Sequence, residues 1–134
     1  MKRNLLEKDL YGNFGKIIRD KWKEGSSAFE LKLVRGNTFN FNLLEEHQER
    51  ALKMAGGQGG VYYKIADVGM GAKPFDCFFI NKVGAYVVLV FIKNPNIFYF
   101  IDIYDYIKFK GLNPLNKSIS FSEVEEISHQ KYTQ

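Results

Sequence analysis

Cysteine and histidine are the scarcest chemistry in this chain of 134 residues, which holds one cysteine, Cys77, and two histidines, His47 and His129. A lone cysteine excludes an internal disulfide. It makes a reducing compartment the expected setting, the cytoplasm of a bacterial cell or of a phage-infected host. No cysteine–histidine spacing suggests zinc. No base stands near Ser26, Ser27 or Cys77 in sequence, so nucleophilic catalysis has no support. Long apolar runs are also missing. The longest, Ala85 to Ile92, is far short of the roughly 20 residues a membrane helix needs. The first residues, MKRNLLEKDLYGNFGK, contain no continuous apolar stretch, so no secretory signal is expected. The phosphate-loop pattern G-x-x-x-x-G-K-[ST] is absent. The glycine run Gly56 to Gly60 follows a helical pattern instead of preceding one, and reads as a helix C-cap and turn. No internal repeat and no domain boundary is visible.

What is present suffices for a packed core. Apolar residues make up 46% and aromatics 16% of the chain, so disorder is expected only at the ends. The length fits one domain spanning 1–134. The formal net charge of +4 leans toward an anionic partner such as nucleic acid. Abundant Lys, Asn, Ile and Phe suggest an AT-rich coding genome, a phage or a low-GC bacterium.

Periodicity supplies the elements. Leu6, Leu10, Phe14, Ile17, Ile18 and Trp22 recur at three- and four-residue intervals and predict a helix that Gly25-Ser26-Ser27 stops. Ala28 to Val34 alternates as a strand, followed by a polar loop, Arg35 to Asn42. Leu43 to Ala55 predicts a second helix. Val61 to Val68 predicts a strand, and Gly69 to Pro74 a loop. Phe75 to Ile80 and Ala85 to Ile92 predict a hairpin across Asn81 to Gly84. Ile97 to Ile103 predicts a last strand, Asp105 to Lys110 a short helix. Ser122 to Ser128 predicts a terminal helix with Ser122 and Glu125 as its capping box. The order α-β-α-β-β-β-β-α implies a mixed sheet with helices against it, of the α/β or α+β kind.

Glu30 and Lys32 share one face of the first strand, about 6.6 to 6.8 Å apart along it. A carboxylate there can hold a hard cation such as Mg²⁺, and a lysine can steady the charge of a scissile phosphate. Taken alone, E-x-K is also an ordinary ion pair on an edge strand. Its surroundings say more. Arg35-Gly36-Asn37-Thr38-Phe39-Asn40-Phe41-Asn42 carries an F-x-F loop, and Glu46-His47-Gln48 lies inside the next helix. A strand ending in E-x-K, an aromatic loop and a helix bearing His-Gln resemble the PD-(D/E)XK nuclease superfamily. The likeness is greatest to Holliday-junction resolvases of the RecU type and their phage relatives. It covers roughly Phe29 to Val68, about a third of the chain.

The resemblance implies a restriction-endonuclease-like fold and a Mg²⁺- or Mn²⁺-dependent endonuclease acting on DNA, on branched DNA such as a Holliday junction, as a homodimer. It implies catalytic roles for Glu30, Lys32 and Gln48. The family's aspartate lies upstream of E-x-K, where this chain has only a helix. The best-placed aspartate is downstream, in Lys73-Pro74-Phe75-Asp76, so a permuted strand order is expected. Asp76 would then meet Glu30 and Lys32 across the sheet and share the metal with Glu30. Asp76 otherwise reads as a strand-start residue capping a local turn. His47 reads as a packed helix histidine. Asp67, Asp102 and Asp105 read as structural, and Tyr62, Tyr63, Phe98 and Tyr99 as core. Arg35 and Lys73 flank the expected site as phosphate contacts, joined by Lys16 and Arg19 among the cations late in the first helix. Two other classes remain open: a nucleic-acid-binding or phage interaction protein that keeps the fold without the chemistry, and a structural protein that uses its late aromatic hairpin as an interface.

Overall fold

The computed structural model describes residues 5–67 and 71–133, so Val68, Gly69 and Met70 of the expected strand and loop lie outside the described residues. The chain opens with a 3-10 turn at Glu7–Leu10 and α1 at Tyr11–Lys21, then β1 at Ser27–Val34. A short β2 at Thr38–Asn40 and a 3-10 turn at Phe41–Leu43 lead into α2 at Glu46–Ala55. There follow β3 (Val61–Lys64), β4 (Cys77–Ile80), β5 (Gly84–Phe91), β6 (Ile97–Asp102) and α3 (Ile103–Leu112). The chain closes with β7 (Ser118–Ser120), α4 (Phe121–Ile127) and β8 (Gln130–Thr133). The fold is mixed α and β: a central four-stranded sheet in the order β1-β5-β6-β8, with helices against it and two separate two-stranded ribbons, β2-β7 and β3-β4.

β5 organises the whole. Every residue from Ala85 to Phe91 is buried, as expected of a strand covered on both faces. Such a strand needs two neighbours. β1 runs parallel to it from Ser27 opposite Gly84 to Val34 opposite Phe91, and β6 runs antiparallel on its other side. No edge is then left for the segment before it. This is why the expected Phe75–Ile92 hairpin does not form, and β4 pairs with β3 instead.

Alternation splits the core into two halves. Ala85, Val87, Leu89 and Phe91 join Leu52, Tyr106, Ile119 and Val124 beneath α2, α3 and α4. Tyr86, Val88 and Val90 join Leu10, Ile17 and Leu31 beneath α1 on the opposite face. An aromatic cluster fills this second half, with the Trp22 and Phe100 rings 4.9 Å apart and stacked. Burial pushes the Tyr86 phenol well above its ordinary value, and its hydrogen bond to Glu24 adds to the shift.

Some boundaries differ from the sequence expectation. α2 begins at Glu46 rather than Leu43, because the 3-10 turn occupies Phe41–Leu43. The α4 capping box uses Ser120 and Glu123, two residues earlier than expected, since β7 ends at Ser120 and leaves it in position. Ser120 N–H donates to Glu123 Oε1 at 2.9 Å. β2, β7 and β8 are too short to carry a readable alternation. Asp102 is structural as expected, capping α3 by accepting from the Tyr104 N–H at 2.8 Å.

Tyr106 is fully buried, and its hydroxyl has no hydrogen-bond partner. Burying an unpaired hydroxyl is unfavourable, and burial holds this phenol above its ordinary value. Tyr106→Phe is therefore expected to raise unfolding free energy by about 1 kcal/mol. A lowered urea midpoint for that variant would show that the hydroxyl is satisfied.

Candidate functional site

β1 points Ala28, Glu30, Lys32 and Val34 to the face covered by α2, since alternate residues share a side. Ala28 and Val34 pack into the core there; Glu30 and Lys32 do not. The Lys32 ammonium lies 3.5 Å from Glu30 Oε2, and both side chains are largely covered, with 14% and 28% of their surface exposed. From α2, Gln48 Nε2 donates to the same carboxylate oxygen at 3.3 Å. Two residues, Lys32 of β1 and Gln48 of α2, thus converge on the Glu30 carboxylate.

Gln48 also has a local duty. Its Oε1 accepts the Glu45 backbone N–H at 3.0 Å, satisfying a donor that the start of α2 would leave open. That contact fixes the amide so that its N–H side faces Glu30. Gln48 is therefore a donor to the carboxylate in this arrangement. Gln48→Ala is expected to lower stability by about 1 kcal/mol through loss of this cap. An unchanged urea midpoint would contradict it.

Glu30 and Gln48 open onto a cleft of about 580 Å³. One wall is β1 and α2, with Ala28, Glu30, His47 and Gln48; the other is the β3-β4 ribbon, with Val61, Tyr63, Phe78 and Ile80. His47 is exposed and pairs with Glu45 at 3.3 Å, so it is not the packed helix residue that the sequence suggests. Glu30 is the acidic side chain among the residues lining this cleft.

Asp76 is differently placed from the expectation. β4 is not in the sheet that carries β1, so the two residues do not meet across one sheet. The Asp76 backbone extends the ribbon by accepting from the Ile65 N–H at 2.8 Å. Its carboxylate, 86% exposed, pairs with Lys73 at 3.4 Å. Lys73 also holds Asp67, at 2.7 Å. Asp76 is two residues before Phe78 and four before Ile80, both of which line the cleft.

The expected phosphate contacts divide. Arg35 is exposed just past β1, with its Nη2 donating to the Leu5 carbonyl at 2.8 Å. Lys73 is in the segment leading into β4. Lys16 and Arg19 are on α1, which packs against the sheet face opposite the cleft, so they do not flank Glu30. The F-x-F residues are structural: Phe39 is buried in the core, and Phe41 packs edge-on against Tyr106 at 5.8 Å.

Among the described residues no group of three or more His, Cys, Asp or Glu side chains is arranged to hold a metal. A sparser donor set suits Mg²⁺, which protein commonly holds through one or two carboxylates while waters and substrate phosphate fill the remaining positions. Glu30 fits that pattern as a hard oxygen donor beside an open cleft. No helix among the described residues is long and apolar enough to cross a membrane.

Sequence reasoning missed the aromatic wall. Tyr62 and Tyr63 are not core: they are 66% and 60% exposed, as are Phe78 and Phe79 to a lesser or similar degree. A signal was present in Tyr62-Tyr63 and Phe78-Phe79. Adjacent aromatics in a strand point to opposite sides, and a two-stranded ribbon cannot bury both. Phe98 and Tyr99 are buried as expected, because β6 is interior to the four-stranded sheet.

No protein-family model, no curated protein and no solved structure matches this chain.

Proposed function

We propose that this chain is a metal-dependent endonuclease that hydrolyses phosphodiester bonds in DNA, with a restriction-endonuclease-like core of the PD-(D/E)XK kind. The observation that carries this reading is the convergence of Lys32 and Gln48 on the Glu30 carboxylate at the wall of an open cleft.

Glu30 is the residue that would hold Mg²⁺ or Mn²⁺, with waters and substrate phosphate filling the remaining positions. The bound cation supplies Lewis-acid polarisation of the phosphate and a more acidic water. Lys32 places a positive charge where negative charge grows on the scissile phosphate. Gln48 orients the Glu30 carboxylate by donating to Oε2. Arg35 and Lys73 would position the backbone through phosphate contacts. The resemblance to junction resolvases points to branched DNA as substrate. Two symmetric cuts on such a substrate require two active sites, hence a homodimer.

One observation favours a second reading, a DNA-binding protein that keeps the fold without cleaving. Lys73 engages both Asp67 and Asp76, which leaves Glu30 as the acid at the cleft. Incubation of the protein with four-way, flap and linear DNA in Mg²⁺ or Mn²⁺ separates the two. The nuclease reading expects strand scission, strongest on the four-way substrate. Shifted but intact DNA in every lane would establish the binding protein.

A further inference from the structure

The β3-β4 ribbon forms the wall that faces Glu30 across the cleft. Val61 is directly opposite Ile80 in the ribbon, and Tyr63 directly opposite Phe78, so these four share one ribbon face. All four line the cleft that Glu30, His47 and Gln48 line from the other side. The Tyr63 and Phe78 rings are stacked, 27° from parallel with centroids 5.8 Å apart. They remain 60% and 38% exposed. Other rings are exposed too, Tyr62 and Phe79 on the ribbon's other face and Tyr11, Phe75 and Tyr104 elsewhere, but of the exposed rings Tyr63 and Phe78 are the pair that lines this cleft. An exposed ring pair beside a polar site therefore marks a surface for a ligand with a flat apolar face.

We infer that the Tyr63–Phe78 pair is a stacking subsite for an unpaired nucleobase next to the phosphate at Glu30. This rests on the cleft being a nucleic-acid site, as proposed above, and names the form of nucleic acid it takes. Base pairs inside a duplex are covered by their neighbours, so their π-faces are out of reach of a side chain. An aromatic pair is useful to DNA binding only where a base has left the stack. The ring spacing also fixes the mode. A base held between two rings needs about 6.8 Å, twice the 3.4 Å stacking rise, and 5.8 Å is too little. The base therefore lies on the outer face of the pair, toward the cleft. Glu30 is on the facing wall of that cleft, with the Lys32 ammonium 3.5 Å from its carboxylate. The cleft volume of about 580 Å³ is within the range that accommodates a small organic ligand of nucleotide size. Unpaired nucleotides occur in flaps and single strands, and at a branch point once a protein opens the pairs there, so this subsite favours such DNA over continuous duplex.

The test is binding without cleavage. Fluorescence anisotropy in EDTA compares a labelled oligothymidylate of about 12 nucleotides with a duplex of the same length. The wild-type chain is expected to bind the single strand at least about tenfold more tightly. Tyr63→Ala and Phe78→Ala should each weaken single-strand binding by about five- to hundredfold, the effect of one stacked base. Duplex binding should change little. Tyr63→Phe keeps the ring and should bind as wild type does. Both residues are exposed, so the alanine variants should keep the wild-type circular dichroism spectrum. Equal affinity for the two DNAs overturns the inference, as do folded alanine variants that bind the single strand normally. A wild-type dimer that Tyr63→Ala converts to a monomer with unchanged DNA binding also overturns it, because the pair is then a protein interface. The nuclease reading fails separately, by absence of scission in Mg²⁺ while the single-strand preference persists.

Discussion

Glu30→Ala is expected to lower Mg²⁺-dependent DNA cleavage by at least about two to three orders of magnitude. The argument starts from the number of acids at the site. Glu30 is the acidic side chain lining the cleft, and Asp76 is engaged with Lys73 in the segment leading into β4. Removal of the Glu30 carboxylate takes away both the hard oxygen donor and the group on which Lys32 and Gln48 converge. It also leaves the largely covered Lys32 ammonium without its partner, which can cost stability. Glu30→Gln controls for that, since it keeps the shape and an oxygen while losing the charge. Lys32→Ala should behave differently. Its cleavage should fall by about a hundredfold, while the metal concentration for half-maximal rate stays as in wild type. A metal titration of the two variants reads this split. Equal activity of Glu30→Gln and wild type would remove Glu30 from the chemistry.

The second large effect is on stability. Phe100→Ala should reduce the unfolding free energy by about 3 to 5 kcal/mol. Phe100 is fully buried on β6, on the sheet face covered by α1. Its ring contacts Phe14, Trp22, Phe29, Tyr86 and Tyr132. No smaller side chain fills that space, and the five neighbours cannot all collapse inward. The loss is a large share of the 5 to 15 kcal/mol that ordinarily stabilises a domain, roughly a fifth or more. Chemical denaturation measures it directly. Phe100 itself does not line the cleft, so the folded fraction of the variant should cleave at the wild-type rate. A loss below about 1 kcal/mol would mean that the aromatic cluster is loosely packed.

The sequence made the central part of this architecture readable because its periodicities are long. Within β1, Phe29 to Leu33 alternates between apolar and charged residues, and the burial of β5 follows from an unbroken apolar run. The pairing of β5 was not readable. A run that is apolar on both faces says that a strand is interior but not which strands flank it. The turn at Asn81–Gly84 favoured β4, whereas β1, more than fifty residues earlier, takes that edge. Long-range pairing leaves no local trace.

The site shows the same division. Strand alternation put Glu30 and Lys32 on one face, Gln48 was singled out by the resemblance alone, and the structure brings the three side chains together. Asp76 was placed by its surroundings in the sequence, Pro74-Phe75 ahead and an apolar strand behind. Those surroundings fix where β4 begins but not which sheet it joins. Lys16 and Arg19 illustrate the converse. Charge alone made them candidates, and the side of the sheet on which α1 packs removes them from the cleft.

The most direct measurement is cleavage of an end-labelled four-way DNA junction by the wild-type chain, with Mg²⁺ or Mn²⁺ in one reaction and EDTA in the other, and Glu30→Gln alongside. The account predicts discrete nicks near the branch point in the metal-containing wild-type reaction, and intact strands with EDTA or with Glu30→Gln. Intact strands in all reactions, or equal scission by Glu30→Gln, would contradict it.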